Sequence, residues 1–178
     1  MIMTTEREEK IKTSEGKTIY IHYGSDWFRT PNPIRNRKYF TKPSGGLWAS
    51  RKDGDQTWKN WCESEEFRLD NLNYSFTFTL KDGARVLELS HEDQLENLPK
   101  LEPYDKCDQW SECRLDFEKL AEEYDAIEVT DISRLYWPLY GWDCNSIIVM
   151  NPKIIDIQDE FREESRWNAE KDADLLRR

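Results

Sequence analysis

Four groups of side chains have the types and spacing to do chemistry. His22 sits at the end of the strand signal within Lys17 to Ser25 (KTIYIHYGS), where a side chain can face a cleft; it is one of two histidines, and Tyr23, Gly24 and Ser25 follow it. An imidazole there either contacts a ligand or satisfies a local hydrogen bond. Tyr140 to Ser146 (YGWDCNS) sets Asp143 beside Cys144. Asp143 is a carboxylate for acid chemistry or a turn or helix-cap residue. Cys144 attacks only if its pKa is lowered, and no histidine stands near it in sequence as a base, so the alternative is a buried inert thiol. Arg29 to Lys59 carries Arg29, Arg35, Arg37, Lys38, Lys42, Arg51, Lys52 and Lys59 against only Asp53 and Asp55. Arg35, Arg37, Lys38 and Lys42 can grip a pyrophosphate through charge-assisted hydrogen bonds, or face water. Cys107, Cys113 and His91 supply part of a metal set but no fourth ligand, so no metal site is expected.

The elements that must carry these groups follow from periodicity. Lys17 to Ser25 alternates β-branched and aromatic residues up to a glycine that can turn the chain, which predicts a strand. Asp26 to Ser44 holds Pro31, Pro33 and Pro43 and reads as a long ordered loop. Gly45 to Ser50 (GGLWAS) predicts a second strand, whose glycines allow close approach to a ligand or another strand. Trp48 within it is a core aromatic or a stacking platform. Thr57 to Phe67 has helical spacing. Asn73 to Leu80 alternates strictly and is followed by Asp82-Gly83 and Ala84 to Leu89, which predicts a hairpin. His91 to Tyr124 reads as helical, Ala126 to Val129 and Ser146 to Met150 as strands. The domain spans 17–157, between a polar arm (1–16) and a charged helix (158–178). Strands and helices do not alternate regularly, so the class is α+β, and without GxGxxG or a P-loop neither a Rossmann nor a Walker site is supported.

The 178 residues suit a single domain, and a 13% aromatic fraction is too rich for disorder. The start has no apolar signal region, no stretch can span a bilayer, and four cysteines without a CxxC pair suit reduced thiols. A soluble cytoplasmic protein is expected. A net charge of −10 argues against a general nucleic-acid binder, while the basic segment suits an anionic ligand.

Taken in order, four segments resemble the strand motifs of the ADP-ribosyltransferase superfamily, whose members include NAD-using toxins, poly(ADP-ribose) polymerases and DNA-modifying relatives. Ile21 to Ser25 (IHYGS) is similar to the first-strand His-Gly-Ser/Thr motif. Gly46 to Ser50 (GLWAS) is similar to the second motif, Phe76 to Leu89 to the middle hairpin, and Ser146 to Ile154 (SIIVMNPKI) to the last strand. The resemblance covers roughly residues 17–155. It implies a split antiparallel β-sheet core with peripheral helices and NAD as substrate. It further implies that His22, Gly24 and Ser25 bind NAD and that Trp48 and Ser50 flank the nicotinamide; with NAD as the ligand, Arg35 and Arg37 are the cations for its pyrophosphate. Ser146 occupies the position of the family's catalytic Glu. Breaking the nicotinamide–ribose bond builds positive charge on the sugar, which a carboxylate stabilises. Asp143 is the first candidate for that acid and Glu128 the second.

The resemblance therefore implies a mono-ADP-ribosyltransferase of toxin, defence or phage type, a glycosyltransferase acting on a protein or nucleic-acid acceptor. The alternative is a catalytically inactive binding module on the same fold, or a phage-type inhibitor that binds a host protein or nucleotide.

Overall fold

The structure, a computed structural model, describes residues 16–104 and 114–157. Residues 1–15, the helix expected over 158–178, and Cys107 and Cys113 lie outside them. The class is α+β: seven strands form a sheet, with two short α-helices among the described residues. The strands are β1 (Tyr20–Tyr23), β2 (Leu47–Arg51), β3 (Ser75–Leu80), β4 (Val86–Leu89), β5 (Ala126–Val129), β6 (Ser146–Val149) and β7 (Ile155–Asp156); the helices are α1 (Trp58–Ser64) and α2 (Phe117–Glu123). The sheet order is β4-β5-β6-β2-β1-β3-β7. No helix among the described residues is long and apolar enough to cross a membrane.

Three expectations are corrected. The sheet is mixed rather than antiparallel, because β4 runs parallel to β5. Nor do β3 and β4 form a hairpin: β3 pairs with β1 and β7, while β4 closes the far edge. The Asp-Gly turn is real, with Gly83 at φ +80° and the Ala84 amide donating to the Lys81 carbonyl, but it sends the chain across the sheet instead of back along β3. The helix expected over 91–124 is reduced, among the described residues, to a 3-10 turn at Glu92–Leu95 and to α2.

Alternation divides the buried side chains between two clusters. Ile127, Val129 and Ile148 join Leu120, Phe117 and Trp142 on one face, with Trp48 packed against them. Ala126, Ile147, Val149, Leu47 and Ala49 join Phe76 and Phe78 on the other. All four residues of β5 and of β6 are buried, as expected of central strands covered on both faces. The glycines before β2 serve this packing. A Cβ on Gly45 would stand 2.2 Å from the Pro33 carbonyl oxygen, and one on Gly46 would stand 2.8 Å from Ile148.

Asp125 pins three segments together. Its carboxylate accepts from the Arg85 amide (2.9 Å), the Arg85 guanidinium (3.2 Å) and the Asn151 side chain (2.8 Å), while its carbonyl accepts from the Met150 and Asn151 amides. Hydrogen bonding to Arg85 outweighs burial and holds its pKa at about 2. Since the folded value lies below the ordinary one, this contribution to stability is complete above the ordinary carboxylate range and is lost as pH falls towards about 2. Urea unfolding of the wild type and Asp125→Asn at pH 7, 4 and 2.5 should give a stability gap that closes as the pH drops; a gap independent of pH would contradict this role.

Candidate functional site

β1 and β2 pair only at Tyr20↔Arg51 and Ile21↔Ser50. Beyond that point the strands part, and the His22 side chain replaces the ladder, its Nδ1 2.7 Å from the Trp48 carbonyl oxygen. A cleft of about 180 Å³ opens at the gap. A carbonyl oxygen can only accept, so Nδ1 carries a proton, and Nε2 keeps its lone pair in the neutral ring. Burial lowers the His22 pKa and so favours the neutral ring, while the Trp48 hydrogen bond opposes that shift. Phe76 packs on the imidazole with ring centroids 5.1 Å apart.

Trp48 supplies the aromatic wall. Trp142 meets it edge-on at 4.7 Å, and the Lys42 ammonium lies 4.3 Å from its ring centroid. Burial lowers the Lys42 pKa while the charge of Asp143 opposes that shift; burial raises the Asp143 pKa while Lys42 opposes it. The cleft thus holds a desolvated cation and a desolvated carboxylate whose proton affinities are pushed towards each other, a pattern frequent at functional sites. Cys144 also lines the cleft, but burial pushes its thiol up to about 11, so it is the inert alternative rather than a nucleophile. Ser146 is buried at the cleft and donates its hydroxyl to the Cys144 carbonyl at 3.2 Å.

The opposite wall comes from α1 and the turn after it. Thr57 caps α1 in a reciprocal box with Asn60, and the Trp58 amide donates to Ser50 Oγ at 3.0 Å, which seats the Trp58 ring at the cleft. Arg68, in the left-handed region at φ +47°, also reaches the lining. Trp58, Arg68, Tyr23, Asn71 and Trp142 are cleft residues that sequence reasoning did not assign. The capping box and Trp of TWKNWC just after the second strand were the available signal for Trp58; Arg68 had none.

Of the residues expected at the site, His22, Trp48, Asp143 and Ser146 meet in this cleft. Ser50 does not: it is fully buried, donating to the Asn145 carbonyl at 3.0 Å and accepting from Trp58. Gly24 donates its amide to the Tyr74 carbonyl, and Ser25 forms a local turn with Trp27. Arg35 lies 3.9 Å from Glu118, and Arg37 stacks over Phe40 at 3.9 Å. None of these lines the cleft. Asp143 lies in the loop before β6, which β2 separates from the β1 strand that carries His22.

Glu128 points to the other face. Strand alternation sets it with Ala126, on the side of Arg51 and Tyr20, away from Trp48 and Ile148. Arg51 donates to both carboxylate oxygens (2.7 and 2.9 Å), Tyr20 adds a third hydrogen bond at 3.1 Å, and the group borders a separate polar cavity of about 270 Å³. Glu128→Gln keeps the shape but loses the charge-assisted pair. We expect about 1.5–3 kcal/mol of lost stability in denaturant unfolding, with ligand affinity at the cleft unchanged; a selective loss of affinity without destabilisation would return Glu128 to the site. No group of three or more potential metal ligands occurs among the described residues.

No family model, curated protein or solved structure matches this chain.

Proposed function

We propose that the cleft receives the nicotinamide-ribose end of NAD and that the chain is an ADP-ribosyltransferase-like enzyme acting on a macromolecule. The observation supporting this reading is that His22, Trp48, Asp143 and Ser146, drawn from three segments far apart in sequence, line one cleft where two strands part. At about 180 Å³ the cleft is smaller than the roughly 300–1,000 Å³ of drug-sized pockets. It suits a ring and a sugar, with the remaining dinucleotide extending outward.

In this reading the nicotinamide packs on Trp48 and His22 Nε2 accepts a hydrogen bond from a ribose hydroxyl. Lys42 and Arg68 take the pyrophosphate role expected of Arg35 and Arg37, since they are the cations at the cleft. The C1′–N bond breaks with its electron pair leaving on neutral nicotinamide. Asp143 stabilises the resulting positive charge on the sugar until an acceptor nucleophile bonds to C1′ and loses its proton.

Incubation with NAD labelled in its adenylate portion, with and without cell lysate, tests this. Release of nicotinamide together with label on a macromolecule is expected; absence of both rejects the enzymatic reading. The non-catalytic binding module is favoured by Ser146, a hydroxyl committed to a backbone carbonyl where the family has its Glu. It predicts saturable NAD binding with no nicotinamide release.

A further inference from the structure

Residues 27–52 contain no Asp or Glu and seven Arg or Lys, in a chain of which 36 of 178 residues are acidic. This acid-free segment is also studded with exposed aromatic rings, and the cations lie against them. Arg29 is 4.8 Å from the Trp27 ring centroid, Arg37 is 3.9 Å from that of Phe40, and Lys38 is 4.8 Å from that of Tyr39. Trp27, Tyr39 and Phe40 are all exposed. The segment leads into the cleft: Lys42 lines it and feels the charge of Arg37.

A second aromatic group adjoins it. The Thr41 hydroxyl donates to the Tyr140 carbonyl, and Tyr140 and Trp137 pack edge-on against Tyr136 at 5.9 and 5.3 Å. Trp137 is 67% exposed, the highest value among the large hydrophobic residues of the described chain that are open to solvent. Within this surface the cations lie against Trp27, Tyr39 and Phe40, and Trp137 extends the row of exposed rings beside them. Exposed rings flanked by arginine and lysine match the requirements of a flexible strand that alternates flat bases with phosphates.

We propose that the surface formed by residues 27–42 and Tyr136, Trp137 and Tyr140 seats a single-stranded nucleic acid beside the cleft. The strand's bases stack on Phe40 and Trp137, and its phosphates pair with Arg37 and Lys38. Under the NAD-dependent reading on which its functional meaning rests, this strand is the acceptor. The overall negative charge keeps duplex and bulk nucleic acid off the rest of the surface, so binding is confined to this face.

Fluorescence anisotropy of labelled 20-nucleotide single strands, one deoxy and one ribo, tests the seat with the full chain and no NAD. Because NAD is absent, failure here is distinct from failure of NAD cleavage. Saturable binding of at least one strand is expected, with poly-glutamate and a duplex of the same sequence failing to compete. Arg37→Ala with Lys38→Ala should reduce the magnitude of the slope of log affinity against log salt by about 1.4, and Phe40→Ala with Trp137→Ala should weaken binding about tenfold or more. These side chains are exposed, and a far-ultraviolet spectrum matching the wild type establishes that the variants fold. No saturable binding of either strand, equal competition by poly-glutamate or duplex, or unchanged binding by the folded variants overturns the proposal.

Discussion

Asp143→Asn should reduce NAD cleavage by about 10²–10³-fold, the range seen when one preorganised electrostatic group is removed from a transition state. Asparagine keeps the size and hydrogen-bonding reach of the side chain and removes only the charge. That charge matters as the ribose becomes cationic, not in the bound ground state, so the dissociation constant for NAD should change by less than about threefold. Lys42 gives a second readout. Asp143 opposes the lowering of the Lys42 pKa by burial, so the variant should hold Lys42 at a still lower pKa, visible in its reactivity towards amine-modifying reagents. Nicotinamide release at the wild-type rate would remove Asp143 from the chemistry.

Trp142→Ala should cost about 3–5 kcal/mol of folding stability, a large share of the roughly 5–15 kcal/mol that holds a domain together. The ring is 1% exposed, stacks near Phe117 at 6.2 Å and supports Trp48 edge-on at 4.7 Å, so its removal leaves a cavity between α2 and the wall of the cleft. Trp142→Phe separates shape from polarity. The indole Nε1 is buried with no hydrogen-bond partner among the described residues, so its loss breaks no bond and the variant should fall well short of the alanine cost. Urea unfolding of both variants measures the difference. An alanine variant within about 1 kcal/mol of wild type would mean that the packing around this ring does not hold the cleft in shape.

Strand positions were legible where one signal sufficed. The alternation in Lys17 to Ser25 and Asn73 to Leu80, and the apolar runs at Ala126 and Ser146, marked β1, β3, β5 and β6. Partner choice was not legible, because an Asp-Gly turn looks the same whether the chain folds back into a hairpin or crosses the sheet. The parallel pairing of β4 with β5 depends on residues about forty positions apart, as with Asp125 and Arg85. Glu128 shows the same limit within the site. Its strand is buried on both faces, so local pattern could not say which face the carboxylate took; only Arg51 and Tyr20, brought in by β2 and β1, decide it. His22, Trp48 and Asp143 were found because each lies at a strand end or in the loop before one. Arg68 came to the cleft through a left-handed turn with no glycine to announce it.

The most direct test is a crystal structure of the protein soaked with nicotinamide and, separately, with a non-hydrolysable NAD analogue. The nicotinamide ring is expected against Trp48, with a ribose hydroxyl on His22 Nε2 and the Asp143 carboxylate facing the ribose C1′. Ligand bound in the Arg51–Glu128 cavity instead, or a cleft empty at saturating ligand, would contradict this arrangement.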